Sequence, residues 1–238
     1  MDVLDAIGNW DDPTTVNYDV DRHGRRRRTP AFPDVPGSPR LVLRGDVESA
    51  FHDTVAPHTE IRYGTTPTAL QEHTGGVDVT LRTTTGQEAT ETTERFDLVV
   101  GADGLRSTIR RLAFGPDPRY MKPMNHIIAT AFLKEQVPGL RPQDGLTFSE
   151  PGRSAWVFPI ANRVLFNYRT RDEDAQFSRP PAESLRRAFG PEPTGPVLDH
   201  LIGQFEKADD FLLTPPTRSS CPPGTPTASS CSETLPGA

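Results

Sequence analysis

The sequence predicts a mixed α/β fold of the α+β type, because strand patterns and helix patterns follow one another along its 238 residues. Residues 66–96 alternate apolar or threonine side chains with polar ones, which is typical of a β-meander. A continuous apolar run then ends in a glycine turn at 97–104, which indicates a strand covered on both faces before a helix. Further strand-like runs between 125 and 169 predict a second sheet.

Short elements are predicted before the meander. The runs on either side of His23-Gly24 predict a hairpin, because glycine suits the turn. Apolar side chains recur at helical spacing over 47–55, which predicts a helix that Asp46 caps. Residues 60–63 predict a strand that leads toward the meander.

Three strands joined at glycine turns form the predicted meander, which we expect to be solvated on one face. After the glycine turn at 101–104, Ser107 is placed to cap a helix. In the second sheet the apolar runs predict antiparallel strands, and helices follow them. The predicted ranges are 67–73, 77–83 and 88–96 in the meander, then strands at 125–133, 145–148, 155–159 and 163–169 and helices at 181–189 and 197–205.

Composition excludes several classes of protein. The chain has 26 Lys and Arg against 32 Asp and Glu, for a net charge of −6, which argues against broad nucleic-acid binding because such binding needs many cations. No apolar run approaches the about 18 residues that cross a membrane. The acidic first residues do not match a secretory signal, so we expect a cytoplasmic protein. Two cysteines are too few to predict a metal site.

The sharpest motif runs from Asp97 to Arg110, around Gly101-Ala102-Asp103-Gly104. A buried strand that ends in glycines lets the backbone approach a cofactor closely. An acidic residue at the carboxyl end of such a strand can bind ribose hydroxyls or organise a pyrophosphate site. The motif therefore predicts a nucleotide-cofactor site at this turn.

This string resembles the Asp-Gly motif of FAD-dependent monooxygenases of the aromatic-hydroxylase type, the p-hydroxybenzoate hydroxylase-like group, in which it also follows a β-meander. The resemblance implies that Asp103 contacts both the flavin ribose and the transiently bound NADPH. It also implies that the neighbouring glycines and Ala102 give the cofactor access to the backbone. The resemblance covers roughly residues 1–213, so it implies an incomplete Rossmann-like FAD-binding domain beside an antiparallel substrate-domain sheet.

Two further segments carry the resemblance. Leu43-Arg44-Gly45-Asp46-Val47-Glu48 is similar to the family's short Arg-x-x-Leu segment, which implies that Arg44 reaches toward the flavin. Trp156 and Phe158 stand where the family has the sheet over the substrate, which implies that they line a substrate pocket. The alternative for both aromatic residues is simple packing against the sheet.

Two family motifs are missing from the sequence. No Gly-x-Gly-x-x-Gly occurs, although a helix after that motif binds the pyrophosphate in such folds. The second flavin motif, Gly-Asp-Ala-Ala, does not follow Asp210-Phe211. We therefore expect a family member truncated at both ends. Its expected ranges are 1–120 for a partial FAD-binding domain without the first βαβ unit, 121–213 for the substrate-domain sheet and helices, and 214–238 for a tail.

The tail is expected to be disordered, because Thr, Ser, Pro and Gly cannot bury enough surface to offset the entropy of ordering. Arginine far outnumbers lysine, which indicates GC-rich codons. For one allowed choice of codons, a shifted reading frame gives Gly-Asp-Ala-Ala under residues 232–236. We therefore expect the tail to be out-of-frame translation that starts near Leu213, and a gene sequence incompatible with that string would contradict this.

The resemblance implies an FAD- and NADPH-dependent monooxygenase that hydroxylates an aromatic or polyketide-like small molecule. Because two motifs are missing, we expect impaired FAD binding and an inactive or impaired fragment, and no catalytic residue is assigned. One alternative is a flavin reductase or halogenase of related fold, and another is a non-catalytic module that binds a small molecule or a protein. The sequence does not indicate an oligomeric state.

Overall fold

The computed structural model describes residues 3, 7, 12–37, 39–160, 162–190 and 192–219, and the backbone of 229–231. The chain divides into two compact units. Unit 1 comprises Met1–His58 and Asn125–Pro216, and unit 2 comprises Thr59–Met124 and Thr217–Ala238.

In chain order the elements are β1 (Asn17–Val20), β2 (Arg26–Thr29), a 3-10 turn (Phe32–Asp34), α1 (Arg44–Val55), β3 (Thr65–His73), β4 (Gly76–Thr85), β5 (Glu88–Phe96), β6 (Val99–Gly101), α2 (Thr108–Phe114), a second 3-10 turn (Asp117–Arg119), β7 (Met121–Pro123), β8 (His126–Phe132), β9 (Gly145–Glu150), β10 (Arg153–Phe158), β11 (Arg163–Arg169), α3 (Asp174–Phe177), α4 (Pro181–Phe189), α5 (Gly195–Glu206), β12 (Phe211–Thr214), β13 (Thr217–Ser219) and β14 (Ser229–Cys231).

Unit 1 is built on a seven-stranded sheet in the order β12-β8-β11-β10-β9-β1-β2. The strands predicted between 125 and 169 are confirmed as β8 to β11, and they pair antiparallel. The prediction of a purely antiparallel sheet is wrong, because β1 lies parallel to β9, with Asn17 opposite Gly145. The predicted hairpin is confirmed as β1–β2, and it is this hairpin that adds the parallel pair and makes the sheet mixed.

One face of this sheet forms the core of unit 1 together with α4 and α5. Side chains alternate between the two faces of a strand, and Val164, Phe166 and Tyr168 of β11 are all buried on the helix side. The Phe166 ring lies 5.6 Å from that of Phe189 on α4 and 5.9 Å from that of Phe205 on α5. We call the opposite face, which carries Thr147, Trp156 and Phe158, the pocket face.

Both predicted helices of this core are confirmed, α4 over the predicted range 181–189 and α5 over Gly195–Glu206, which extends beyond the predicted 197–205. Pro181 begins α4, where its missing N–H costs nothing, and Gly190 ends it as the C-cap residue. Arg153 of β10 donates to the carbonyl oxygens of Ala188 and Gly190, at 2.9 Å each. Those carbonyls have no partner within the helix, so the arginine fixes the end of α4 against the sheet.

The helix and the strand predicted between residues 46 and 63 differ from the expectation. The helix α1 begins at Arg44 rather than after Asp46, and Leu43 at its N-cap position supplies no side-chain hydrogen bond. Asp46 instead lies in the first turn, where a carboxylate favours the helix dipole. The strand predicted at 60–63 is absent, because these residues are exposed and pair with no strand in the described part of the chain.

Unit 2 contains the predicted meander, β3-β4-β5, with both strand pairs antiparallel. Val77, Val79 and Ile109 are its buried apolar side chains among the described residues. The expectation that only one face of the meander is solvated is wrong for β5, because all its residues except Glu94 are exposed, and these lie on both faces. Unit 2 thus has a much smaller apolar core than unit 1.

The strand β6 does not sit in a sheet covered on both faces, as its apolar run predicts. Leu98 is 60% exposed and Val100 is 57% exposed. Within the described residues, β6 pairs with β14 in a parallel two-stranded arrangement. Because β6 joins neither of the larger sheets, the structure shows a mixed α/β protein with a seven-stranded mixed sheet in unit 1 and a small antiparallel sheet in unit 2.

Part of the segment expected to be disordered is described. Thr214 ends β12, residues 217–219 form β13 against β7, and residues 229–231 form β14. Residues 220–228 and 232–238, which include 232–236 with the proposed shifted motif, lie outside the described residues. The domain ranges expected from the sequence remain predictions. No helix in the described part of the chain is long and apolar enough to cross a membrane.

Candidate functional site

The Asp-Gly segment links β6 to α2 in unit 2. Gly101 at the end of β6 is buried, Ala102 and Asp103 are exposed, and Gly104 is half-buried. Gly104 has a φ of +78°, and a Cβ added there would meet nothing within 4 Å. A side chain is thus disfavoured at this position by the backbone conformation rather than by crowding. The turn leaves open space above its glycine.

Asp103 is bound by the first turn of α2. Its Oδ1 accepts a hydrogen bond from the Ser107 hydroxyl at 2.5 Å. Its Oδ2 accepts from the backbone N–H groups of Thr108 at 2.6 Å and of Ile109 at 3.1 Å. Ser107 is confirmed as the N-cap residue, since its Oγ also accepts from the N–H of Arg110 at 2.9 Å. These contacts satisfy amides that have no partner within the helix.

These contacts set the charge state of the carboxyl. Partial burial alone raises the pKa of Asp103, because it disfavours the charged form. Hydrogen bonds from Ser107 and from the amides of Ile109 and Thr108 favour the carboxylate and outweigh the burial, so the pKa of Asp103 is lowered. The segment therefore carries a fixed negative charge at neutral pH.

Arg110 holds the same turn from the other side. Its side chain is buried, and its Nη2 donates to the carbonyl oxygen of Leu105 at 2.8 Å and to Asp117 at 2.9 Å. The Arg110 hydrogen bond is the main reason that the pKa of Asp117 is lowered. The turn from Ala102 to Ser107 is thus held by hydrogen bonds of two side chains, those of Asp103 and Arg110.

We expect the cap on α2 to depend on pH. A carboxyl with a lowered pKa stabilises the folded state above its unfolded pKa of about 4, and this contribution is lost as the pH falls through the lower folded value. An NMR titration of the Asp103 carboxyl should therefore give a pKa below about 4. The amides of Thr108 and Ile109 should lose protection from hydrogen exchange over the same range. A carboxyl that titrates at or above the ordinary value contradicts the capping contacts.

Arg44, the other predicted flavin contact, is the first residue of α1 and is exposed. It belongs to unit 1, whereas Gly101, Ala102, Asp103 and Gly104 belong to unit 2. The structure thus groups the four residues of the Asp-Gly segment and places Arg44 in the other unit. Their assignment to a cofactor stays a prediction.

A pocket in unit 1 contains both predicted substrate-contact residues. It encloses about 210 Å³, less than the about 300–1,000 Å³ of pockets that enclose a drug-sized ligand. Trp156 and Phe158 form its wall on the pocket face, and residues 30–35 close one side. We call it the sheet pocket; its lining is Thr15, Asn17, Pro30, Ala31, Phe32, Val35, Gly145, Leu146, Thr147, Trp156, Val157, Phe158 and Pro159.

Polar groups sit on the floor of the sheet pocket. The Asn17 Nδ2 donates to Thr29 Oγ1 at 2.9 Å and to Thr147 Oγ1 at 3.3 Å. A Cβ at Gly145 would lie 2.5 Å from the Asn17 Oδ1, so the glycine leaves room for this amide. The sequence did not indicate Asn17 or Thr147. They lie on two distant strands that pair in parallel, and such pairing leaves no local pattern in the sequence.

The Asp-Gly segment fits part of a flavin nucleotide. The Oδ1 of Asp103 accepts one hydrogen bond in the structure, and a carboxylate oxygen can accept a second, as from a ribose hydroxyl. The open space above Gly104 admits a ligand close to the backbone. The amides of Thr108 and Ile109, which could otherwise meet a pyrophosphate, already bind Asp103. The described residues therefore suit the ribose and not the pyrophosphate.

Comparison with known proteins gives partial matches in sequence. No protein-family model matches the chain. The chain is 28% identical over 187 residues to Monooxygenase CTB7 of Cercospora beticola, which covers 73% of this chain and 43% of that protein. It is 32% identical over 108 residues to the uncharacterized protein Rv1260 of Mycobacterium tuberculosis, covering 43% of this chain and 27% of that one. The chain thus spans less than half the length of these curated relatives.

Solved structures share the fold over most of this chain. Klebsiella pneumoniae HpxO complexed with FAD and uric acid matches with a TM-score of 0.62 and 17% identity, over 91% of this chain and 54% of that one. Tetracycline destructase Tet(55) matches with a TM-score of 0.60 and 19% identity, over 87% and 52%. Aklavinone-11 hydroxylase with FAD and aklavinone gives 0.55 and 19%, over 86% and 40%. The chain is therefore similar, in sequence and in fold, to part of the FAD-dependent monooxygenases of the aromatic-hydroxylase type.

Proposed function

We propose that this chain carries the substrate sheet and the Asp-Gly segment of an FAD- and NADPH-dependent monooxygenase that hydroxylates an aromatic or polyketide-like small molecule. The observation that carries the proposal is the aromatic sheet pocket, in a chain whose fold matches FAD-bound HpxO over 91% of its length. The two small molecules held by structural relatives, uric acid and aklavinone, both contain fused rings, and Trp156 and Phe158 offer flat surfaces for a ring.

Each part of the chain has a distinct task in this proposal. Trp156 and Phe158 hold and orient the ring and exclude water from it, while Asn17 and Thr147 offer polar contacts at the floor. The pocket of about 210 Å³ suits one or two rings and not a whole polyketide. Asp103 accepts a ribose hydroxyl of FAD. Bound FAD, reduced by NADPH, would supply the oxygen activation, which protein side chains cannot supply.

We further propose that this chain binds FAD weakly and has impaired or no activity. Its sequence has neither Gly-x-Gly-x-x-Gly nor Gly-Asp-Ala-Ala. The amides at the start of α2 are already bound to Asp103, so they cannot replace the missing pyrophosphate site. The ribose contact remains, and a single charge-assisted contact supports only a modest affinity.

FAD titration tests this proposal. We expect saturable quenching of flavin fluorescence with a Kd weaker than about 10 μM. In Asp103→Asn one oxygen can still accept from the helix amides, so α2 should stay folded while FAD affinity falls, because the charged acceptor for the ribose is lost. Circular dichroism confirms the fold of the variant. Flavin that co-purifies in stoichiometric amount contradicts the impaired binding, and FAD binding that Asp103→Asn leaves unchanged contradicts the role of Asp103.

A small-molecule binding module is the second candidate, and one observation favours it. The sheet pocket lies wholly within unit 1, whose large core from Val20 to Phe205 is self-contained. A ring can thus bind there without a flavin. Ring compounds that raise the melting temperature in the absence of any FAD binding would support this candidate over the monooxygenase.

A further inference from the structure

We propose that the outer edge of β12, the edge away from β8, is a docking surface for a second copy of this chain. The second copy adds its own β12 as an antiparallel strand, so that the two seven-stranded sheets form one continuous sheet across a twofold axis. This inference does not depend on the proposed enzymatic function. Three observations carry it: the open edge of the strand, its side chains, and the way in which the strand matches itself.

The strand β12 lies at one end of the sheet in unit 1. It pairs antiparallel with β8 on its inner edge, and in the described part of the chain no strand pairs with its outer edge. The backbone N–H and C=O groups along an open edge form a template for another strand. An interface made by strand addition uses such groups for its main-chain hydrogen bonds.

The side chains of β12 favour such pairing. Phe211 is 45% exposed and Leu212 is 53% exposed, although both are large and apolar. The strand from Phe211 to Thr214 contains no charged residue and no proline. Charged side chains and proline are the usual means by which an edge strand avoids pairing with another chain. The outer edge of β12 therefore lacks this protection.

The opposite end of the same sheet has that protection. The edge strand there is β2, which contains Arg26, Arg27 and Arg28 in succession. A second copy that paired along β2 would bring arginines of both chains together, and like charges opposite one another destabilise a strand pair. Of the two ends of this sheet, β12 is therefore the end suited to a second copy.

The apolar side chains of β12 match themselves in one antiparallel register, centred on Leu212. Residues directly opposite in an antiparallel pair point to the same face of the sheet. In this register Leu212 lies opposite the partner's Leu212 on the pocket face, and Phe211 lies opposite the partner's Leu213 on the helix side. Leu213 packs against the core of unit 1, and the Phe211 ring lies 5.4 Å from that of Phe205. The pairing thus extends both cores toward each other.

Polar residues at the two ends fix the same register. Asp210, just before β12, lies opposite the partner's Thr214, and this pair occurs twice. Within the described residues Asp210 forms no ion pair and the Thr214 hydroxyl forms no hydrogen bond, so the hydroxyl can donate to the carboxylate. A shift of one residue exchanges the faces of the strand. A shift of two residues places Leu212 opposite a polar side chain.

Sedimentation of the full chain over a range of concentrations tests for the dimer. Only about four residues of each chain pair, so the interface is smaller than a standard one and the association should be weak. We expect a monomer–dimer equilibrium with a Kd of about 10–100 μM. A chain that stays monomeric up to about 500 μM, well above that Kd, overturns the proposal.

Charge exchange at Leu212 tests the register. In Leu212→Lys, or in Leu212→Glu, two like charges lie opposite each other, so each variant alone should dimerise at least about 10-fold more weakly. An equimolar mixture of the two variants should recover the dimer, because each lysine then faces a glutamate. This recovery is expected only if Leu212 faces its own copy.

Phe177→Lys and Phe177→Glu are the matched controls, since Phe177 is 47% exposed on α3 in the same unit. They change the net charge equally and should leave the dimer unchanged. Circular dichroism checks that every variant folds. Dimerisation that the Leu212 variants do not weaken, or that their mixture does not recover, overturns the pairing of β12 in this register. An equal loss in the Phe177 variants overturns it too, because the effect is then general charge.

Hydrogen exchange in the unaltered chain needs no variant. We expect amide protection in residues 210–214 to rise with protein concentration, while residues 26–29 of the β2 edge show no such change. A dimer that forms without added protection in 210–214 overturns the proposal, because its interface then lies elsewhere. Protection of both edges of β12 at low concentration in a monomer overturns it as well, because another segment of the chain then covers the edge.

Discussion

Replacing Phe166 by alanine lowers the free energy of unfolding of unit 1 by about 3–5 kcal/mol, the range for removing a large aromatic side chain from a core. Phe166 is fully buried on the helix side of β11. Its ring meets Phe189 edge-on at 5.6 Å and Phe205 at 5.9 Å, so it joins the sheet to both helices. The cavity cannot close easily, because each neighbouring ring is held by a separate element.

Urea unfolding followed by far-UV circular dichroism measures this loss. Phe177→Ala is the control, since Phe177 is 47% exposed on α3 in the same unit. We expect that change to cost less than about 1 kcal/mol. Similar losses in the two variants would show that Phe166 does not join the sheet to the helices.

Local patterns explain why much of unit 1 could be predicted from the sequence. The apolar alternation in residues 163–169 reflects a strand with one face on a core, and it appears as β11. The helix α4 follows from Pro181 at its start and Gly190 at its end, which act on the backbone beside them. Such signals need no knowledge of distant residues.

Long-range pairing explains what could not be predicted. The strand β1 lies beside β9 although Asn17 and Gly145 are far apart in the sequence, and a parallel pair needs no turn between its strands. The strand β6 has the apolar run of a covered strand, yet Leu98 and Val100 are exposed, because coverage depends on which segments pack against a strand and not on its own residues.

The candidate site also has one part that the sequence could predict and one part that it could not. Asp103 and Ser107 lie in one turn of chain, so the motif and its capping residue are visible in the sequence. The polar floor of the sheet pocket depends on sheet register, because it brings Asn17 beside Thr147. A single sequence without the sheet order cannot give that register, and this is why Asn17 and Thr147 were not sequence candidates.

Gly195→Ala tests the packing that holds the β1–β2 hairpin, and we expect it to destabilise unit 1 by at least about 2 kcal/mol. Gly195 begins α5 with a φ of +81°, which side chains disfavour. A Cβ there would clash with the carbonyl oxygen of Arg22. Because that atom is backbone, the turn between β1 and β2 must move, and this strains the ion pair of Arg22 with Glu150 at 2.6 Å.

Gly203→Ala in the same helix is the matched control. A Cβ at Gly203 meets nothing within 4 Å, so alanine should stabilise α5 by about 0.5–1 kcal/mol through its better helix propensity. Both variants are measured by urea unfolding. We therefore expect the same substitution, glycine to alanine, to lower the free energy of unfolding at one position of α5 and to raise it at the other. Equal stability in the two variants would show that the Arg22 carbonyl does not approach Gly195, and the hairpin that supplies Asn17 to the sheet pocket would then be held by other contacts.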